Sequence, residues 1–200
     1  DNSVDKAGGS NTDAIRAQLL ETEDVVNAVV WENDTDEMDE AGLLPHSIQA
    51  IVYGGTDTNV ATAIHARKAA GIQTCGTSSA KLLDASGKLR TIRFSRPTAV
   101  PIHVRNSSLV TDAAYPGDDT LKAAVVDYIG SEGTSLAASG LSIGETVYYN
   151  RLMCPINETQ GVVDYILEIS TDGAAWQKAN IVLTALQKAV TSPDKVVISR

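Results

Sequence analysis

Gly140-Leu141-Ser142-Ile143-Gly144 is the one stretch with the spacing of a serine nucleophile, G-x-S-x-G. That motif works when an apolar strand turns sharply into a helix and exposes the serine, with an acid and then a histidine following in the chain. Here residues 134–139 are not an apolar strand, and His46, His65 and His103 all precede Ser142. The stretch therefore reads as a glycine-punctuated link, with an esterase using Ser142 as a remote alternative. No two of the three histidines stand four apart, as a helical zinc site requires. The acidic run 32–40 invites a calcium reading, because hard cations gather carboxylates. With Glu32, Asp34 and Asp36 in the first ligand positions, the required glycine is Glu37 and the closing glutamate is Leu43. A solvated acidic turn is the better reading. Gly54-Gly55 is not followed by the Gly-Lys-Ser/Thr of a phosphate loop. Catalytic, cofactor-binding and metal residues are thus expected to be none.

What is left is chemistry of contact. Arg90, Arg93 and Arg96 recur every third residue, and on a continuous strand Arg90 and Arg96 would share one face with Arg93 on the other. These arginines suit interface or intramolecular ion pairs. Trp31, Tyr148, Tyr149 and Trp176 are candidate interface anchors, since aromatic and Arg side chains dominate binding hot spots; core packing is the alternative for each. Cys75 and Cys154 match no zinc or redox spacing and read as small, half-buried residues, with a disulfide left open. The sequons at Asn33, Asn106 and Asn157 read as chance, because no signal peptide is visible.

The charge is segregated. The 200 residues carry a net charge of −9, but residues 1–60 carry −11, 61–110 carry +7 and 111–200 carry −5. Nucleic acid is not expected as a partner, because binding it requires a basic surface. The basic block is expected to meet acidic residues, either the acidic segment of the same or a neighbouring copy or another partner. No apolar run reaches the roughly 20 residues of a membrane helix. The chain starts at Asp1 without Met, which reads as a fragment or a processed product.

The elements that must position these residues follow from periodicity. Residues 1–23 read as a loose leader, through about residue 10, and a helix capped by Asn11, Thr12 or Asp13. A first α+β unit spans 24–97: a strand at 25–31, the acidic loop, and a strand at 47–53 whose Ile48, Ala50 and Val52 alternate with Gln49, Ile51 and Tyr53. Then come a helix capped by Asp57 or Thr58 and ended by Gly71, and a hairpin of 78–83 with 89–94 around 84–87. A second α+β unit spans 98–200. It has a strand at 101–109, a helix capped by Asp118 or Asp119, a loop at 133–144, and a short helix at 146–153 stopped by Pro155. Strands follow at 162–170, 180–183, 187–191 and 195–199. The fold class is α+β, two small sheet-plus-helix units in tandem.

In order along this frame, the run LPHSI at 44–48, the strand ending in Gly54-Gly55 and the alanine-rich helix resemble the baseplate J-like family of contractile phage tails. TIRFSRPTAVPIHV at 91–104, YPGDDTLKAAVVDYI at 115–129 and IGETVYYNRLMCPINETQGV at 143–162 continue the resemblance, which covers about residues 24–200. It implies a baseplate wedge component without catalysis or cofactor, matching the C-terminal portion of longer members. It also implies contacts with other wedge subunits and with copies of itself. The implied location is the virion, with the host cytoplasm before assembly, and the implied role is in baseplate assembly and the triggering of sheath contraction. A tail adhesin or ligand-binding module is the alternative, disfavoured by the 4% aromatic content.

Overall fold

The computed structural model describes residues 12–133 and 140–200; the leader expected at 1–10 and the 134–139 part of the expected loop lie outside the described residues. The fold is α+β, and the chain divides after Pro97 into two compact units.

In the first unit the order is α1 (Thr12–Leu20), β1 (Val25–Asn33), β2 (Ser47–Gly54), α2 (Asp57–Arg67), β3 (Gln73–Cys75), β4 (Ser78–Leu83) and β5 (Leu89–Phe94). β2 is central. It pairs antiparallel with β1 from Val25↔Gly54 to Asn33↔Ser47, and parallel with the short β3. Beyond β3, Ser95 takes over the same edge: Val52 N–H donates to Ser95 O at 2.9 Å and Ser95 N–H to Ala50 O at 2.8 Å. The alternation along β2 is therefore less clean than its pattern implies. Ile51, expected on the outer side with Gln49 and Tyr53, is fully buried. β4 and β5 form the expected hairpin, Ser78↔Phe94 to Leu83↔Leu89. Ile15, Leu19, Ala28, Ile48, Val52, Val60, Ile64, Ile92 and Phe94 close one core, with Phe94 its largest buried side chain.

Helix ends differ from the sequence reading. Thr56 caps α2, accepting from Asn59 N–H, so Asp57 lies inside the first turn. The helix stops at Arg67 because Lys68 is extended at ψ 144°, four residues before Gly71. Gly54 is obligatory for another reason. At φ +87° a Cβ there would lie 2.1 Å from Asp24 O, so only glycine lets β2 turn beside β1.

The second unit comprises β6 (Thr98–Pro101), β7 (His103–Thr111), α3 (Asp118–Ile129), α4 (Tyr149–Glu158), β8 (Val162–Ser170), β9 (Gln187–Val190), a short 3-10 turn (Pro193–Lys195) and β10 (Val196–Ile198). One sheet has the order β10-β7-β8; β6 and β9 pair separately, in parallel. The single strand expected from 101 is thus two, broken at Ile102, whose N–H donates to Val190 O. Gly117 precedes α3 without a side-chain cap, leaving Asp118 and Asp119 in the first turn, where carboxylates favour the helix dipole. The largest difference concerns Pro155. It does not stop a helix: α4 begins at Tyr149 and runs through it to Glu158. A proline inside a helix removes one hydrogen bond and crowds the preceding turn, a local cost of about 3 kcal/mol. Leu152 and Ile156 flank it on the buried face, both fully buried, and their burial holds the segment helical. The strand expected at 180–183 is a single bridge, Ile181↔Val147.

Candidate functional site

The first unit contains a cleft of about 520 Å³ between the turn that leaves α2 and the β4–β5 hairpin. Lys68, Gln73 and Thr74 line one side; Asp84, Arg90 and Arg93 line the other. The α2–β3 connection is short, and Lys68 reaches along it to Ile72 O, while Thr74 Oγ1 accepts from Arg93 N–H at 3.0 Å to tie the two walls. Three cations and one carboxylate are thus among the residues lining one hollow, with Arg90 and Arg93 on opposite faces of β5. Asp84 is occupied locally. It accepts from Ser86 N–H and Lys88 N–H at 2.9 Å each, from Ser86 Oγ at 2.5 Å, and from Arg90 Nε at 2.8 Å. The Ser86 hydroxyl and then the Arg90 guanidinium hold its carboxyl well below the usual range. Lys68 Nζ donates to the carbonyls of Ala69 and Ile72, at 3.1 and 2.9 Å. Burial, and then repulsion from Arg90, pull its pKa below the ordinary lysine value. Arg93 is exposed, and its guanidinium has no partner among the described residues. His65 also lines the cleft; its Nδ1 is buried without a hydrogen-bond partner.

The arginine triplet is split by this geometry. β5 ends at Phe94, so Arg96 does not continue the strand face of Arg90. It folds over the Phe94 ring at 5.0 Å and donates to the carbonyls of Val52, Gly54 and Gly55 and to Asp57 Oδ1. Arg96 therefore clamps the β2–α2 turn. Of the aromatic candidates, Trp31 is half-buried on β1 opposite Gln49. Tyr149 is half-buried and its hydroxyl donates to Leu167 O at 2.8 Å. Trp176 lies under Arg105 at 4.4 Å, and Arg105 forks onto Glu168 at 2.6 and 2.9 Å. Tyr148 is the most exposed of the four, with Arg151 5.0 Å above its ring. Trp31 belongs to the first unit and the other three to the second.

The enzyme-like motif does not assemble. Ser142 N–H donates to Glu145 Oε2 at 2.8 Å in a tight turn, and α4 starts only at Tyr149. Among the described residues no hydrogen bond joins Ser142 to a histidine. His46 Nε2 instead meets Asp36 Oδ1 at 2.8 Å on the acidic loop. No group of three or more His, Cys, Asp and Glu able to hold a metal occurs among the described residues. Both cysteines are free; Cys75 is half-buried, and Cys154, expected to be half-buried, is exposed because it projects opposite the buried Leu152–Ile156 side of α4.

Asn33 was legible only as a sequon, yet it organises the acidic loop. It is buried; Nδ2 donates to Glu37 O and Leu43 O at 2.8 Å each, and Oδ1 accepts from Thr35 N–H and Oγ1. The Asn-x-Thr spacing was its signal, since asparagine bonds the backbone two residues on.

No family model and no curated protein matches the chain. Among solved structures, the chain is similar to one in the cryo-EM structure of the anti-feeding prophage baseplate, symmetrised six-fold. The likeness has a TM-score of 0.53 at 14% identity, over 89% of this chain and 36% of that one. The two share a fold, and this chain spans little more than a third of its neighbour.

Proposed function

We propose that the chain is part of a structural subunit of a contractile-tail baseplate, acting through protein–protein contacts. The observation that carries this reading is the fold likeness to a prophage baseplate chain over 89% of the residues. The ordered resemblance of residues 24–200 to the baseplate J-like family supports it from the sequence side. Within this reading the subunit belongs to the wedge, contacts other wedge subunits and copies of itself, and takes part in assembly and in triggering sheath contraction. Its place is the tail baseplate, reached from the host cytoplasm. It performs no catalysis: Ser142 sits in a glycine-flanked turn, and the cleft of the first unit is lined by charges suited to binding.

Immunogold electron microscopy of particles from the source organism, with antibody against this chain, tests the reading. Gold at the distal end of contractile tails is expected. Gold along fibres would favour an adhesin, and accessible particles without label would overturn the assignment.

A further inference from the structure

We propose that the cation-lined cleft of the first unit is a socket for the acidic loop, residues 32–40, of a second copy of this chain. This deepens the assembly reading, on which it rests for its biological setting, but its physical argument stands on the cleft and the loop alone.

The socket has a charge imbalance built in. Arg90 is matched by Asp84, whereas Lys68, its ammonium held by two backbone carbonyls, and Arg93 line the same hollow with no further carboxylate in the lining. Lys68 and Arg90 repel each other, and an arriving carboxylate relieves that repulsion. The hollow, about 520 Å³, is large enough for several side chains.

The plug is equally specific. Glu32, Asp34, Glu37 and Glu40 are exposed, and none of their carboxylates has a hydrogen-bond partner among the described residues. Met38, 60% exposed, adds an apolar contact between them. Buried Asn33 holds the loop through Glu37 O and Leu43 O, and Asp39 Oδ1 accepts from Leu43 N–H. The carboxylates are therefore presented on a shaped loop, which reduces the ordering cost of docking.

None of residues 32–40 lines the cleft of its own chain, so the match requires a neighbour. Plug into socket uses two different surfaces. Such a head-to-tail contact repeats from copy to copy and closes into a ring when the rotation allows. The net charge of −9 on each copy does not prevent this. At physiological salt, charges beyond about 8 Å are screened and local complementarity governs.

Two variants test the inference in the whole chain: Arg93→Glu breaks the socket, and Glu32→Gln/Asp34→Asn/Glu37→Gln/Glu40→Gln blunts the plug. Each alone is expected to lose self-association by at least about tenfold in sedimentation velocity. Their equimolar mixture is expected to restore it, stopping at one-to-one dimers, because only one intact plug and one intact socket remain. A mixture that associates no better than either variant alone overturns the proposal. A peptide of residues 31–43 is expected to bind the wild-type chain and to lose binding to Arg93→Glu. Binding of inorganic phosphate without the peptide would make the cleft a small-anion site and equally overturn it. Gold at the baseplate combined with a failed complementation would remove the socket and leave the baseplate reading standing.

Discussion

Both units stack arginine on aromatic rings, and Arg96 and Arg105 show that such arginines do different work. In the first unit Arg96 lies over Phe94 and gathers backbone carbonyls at the end of β2. In the second, Arg105 lies over Trp176 and pairs with Glu168, its direct cross-strand neighbour in the β7–β8 register. The cations around them differ more. In the second unit Lys195 meets Glu132 and Arg200 meets Asp118, and a hollow by Pro116 and Pro155 has no Lys or Arg in its lining. In the first, Lys68 and Arg93 flank a hollow with no carboxylate of their own. Charges matched within a unit serve its shape. Charges left around a cavity are available to a partner.

The sharpest way to break the first unit is at the ring beneath Arg96. Phe94→Ala is expected to destabilise it by about 4 kcal/mol, through lost burial and a cavity. Urea unfolding followed by Trp31 fluorescence in a Trp176→Phe background isolates that unit. An unchanged midpoint would show that the ring does not hold the core. Next comes Arg96→Ala, expected to cost about 2 kcal/mol in the same assay, because its charge-assisted bonds end on half-buried carbonyls.

The second unit should be distinguished by its alkaline pH profile. Lys188 is buried in β9 with Nζ on Leu141 O at 2.6 Å, and burial lowers its pKa from 10.5 to about 8. Between those values the unfolded chain binds more protons, so stability rises with pH from about 8 towards 10.5. Tyr115 acts oppositely. Burial, and then its bond to Asp118, push its pKa from 10.0 to about 12, so the folded chain holds the proton and stability falls with pH across that range. Unfolding followed by Trp176 in a Trp31→Phe background should therefore pass through a maximum near the crossing of the two ranges. Lys188→Met should flatten the rising side, and Tyr115→Phe should reduce the falling side, to which Tyr128, Tyr149 and Tyr165, their pKa values also raised by burial, contribute. A profile unaltered by either change would remove both groups as its cause.

Smaller effects sharpen the contrast. The Arg105–Glu168 pair is partly exposed and should contribute about 1 kcal/mol in a double-mutant cycle. Arg93→Glu should change the stability of the first unit by less than about 0.5 kcal/mol. A large loss there would mean that Arg93 serves the fold and would weaken its assignment to binding.

Much of the frame was legible along the chain. The β4–β5 hairpin lies at the residues expected, because its strands are adjacent in sequence and its turn chemistry is local. α2 was legible as a helix, but its end was not: Lys68 turns extended over the cleft before Gly71 is reached. The helix through Pro155 was illegible because the proline rule weighs a local cost, and the burial of Leu152 and Ile156 against distant residues outweighs it. The cleft itself could not be read at all. It sets residues 68–74 against 84–93, segments of two different sheets, through a packing that no local pattern specifies.

What the sequence alone determined is the α+β class, the near-absence of catalytic spacing, and the segregation of acid to residues 1–60 and base to 61–110. These depend on residue type and near-neighbour order, which the chain carries explicitly. Only the tertiary structure decided that Arg96 clamps a turn, that Arg90 answers Asp84, and that Arg93 borders an open hollow. Three arginines of one type and one spacing differ only in what folding brings within a few ångströms of each, and electrostatic interaction depends on that distance and its surroundings.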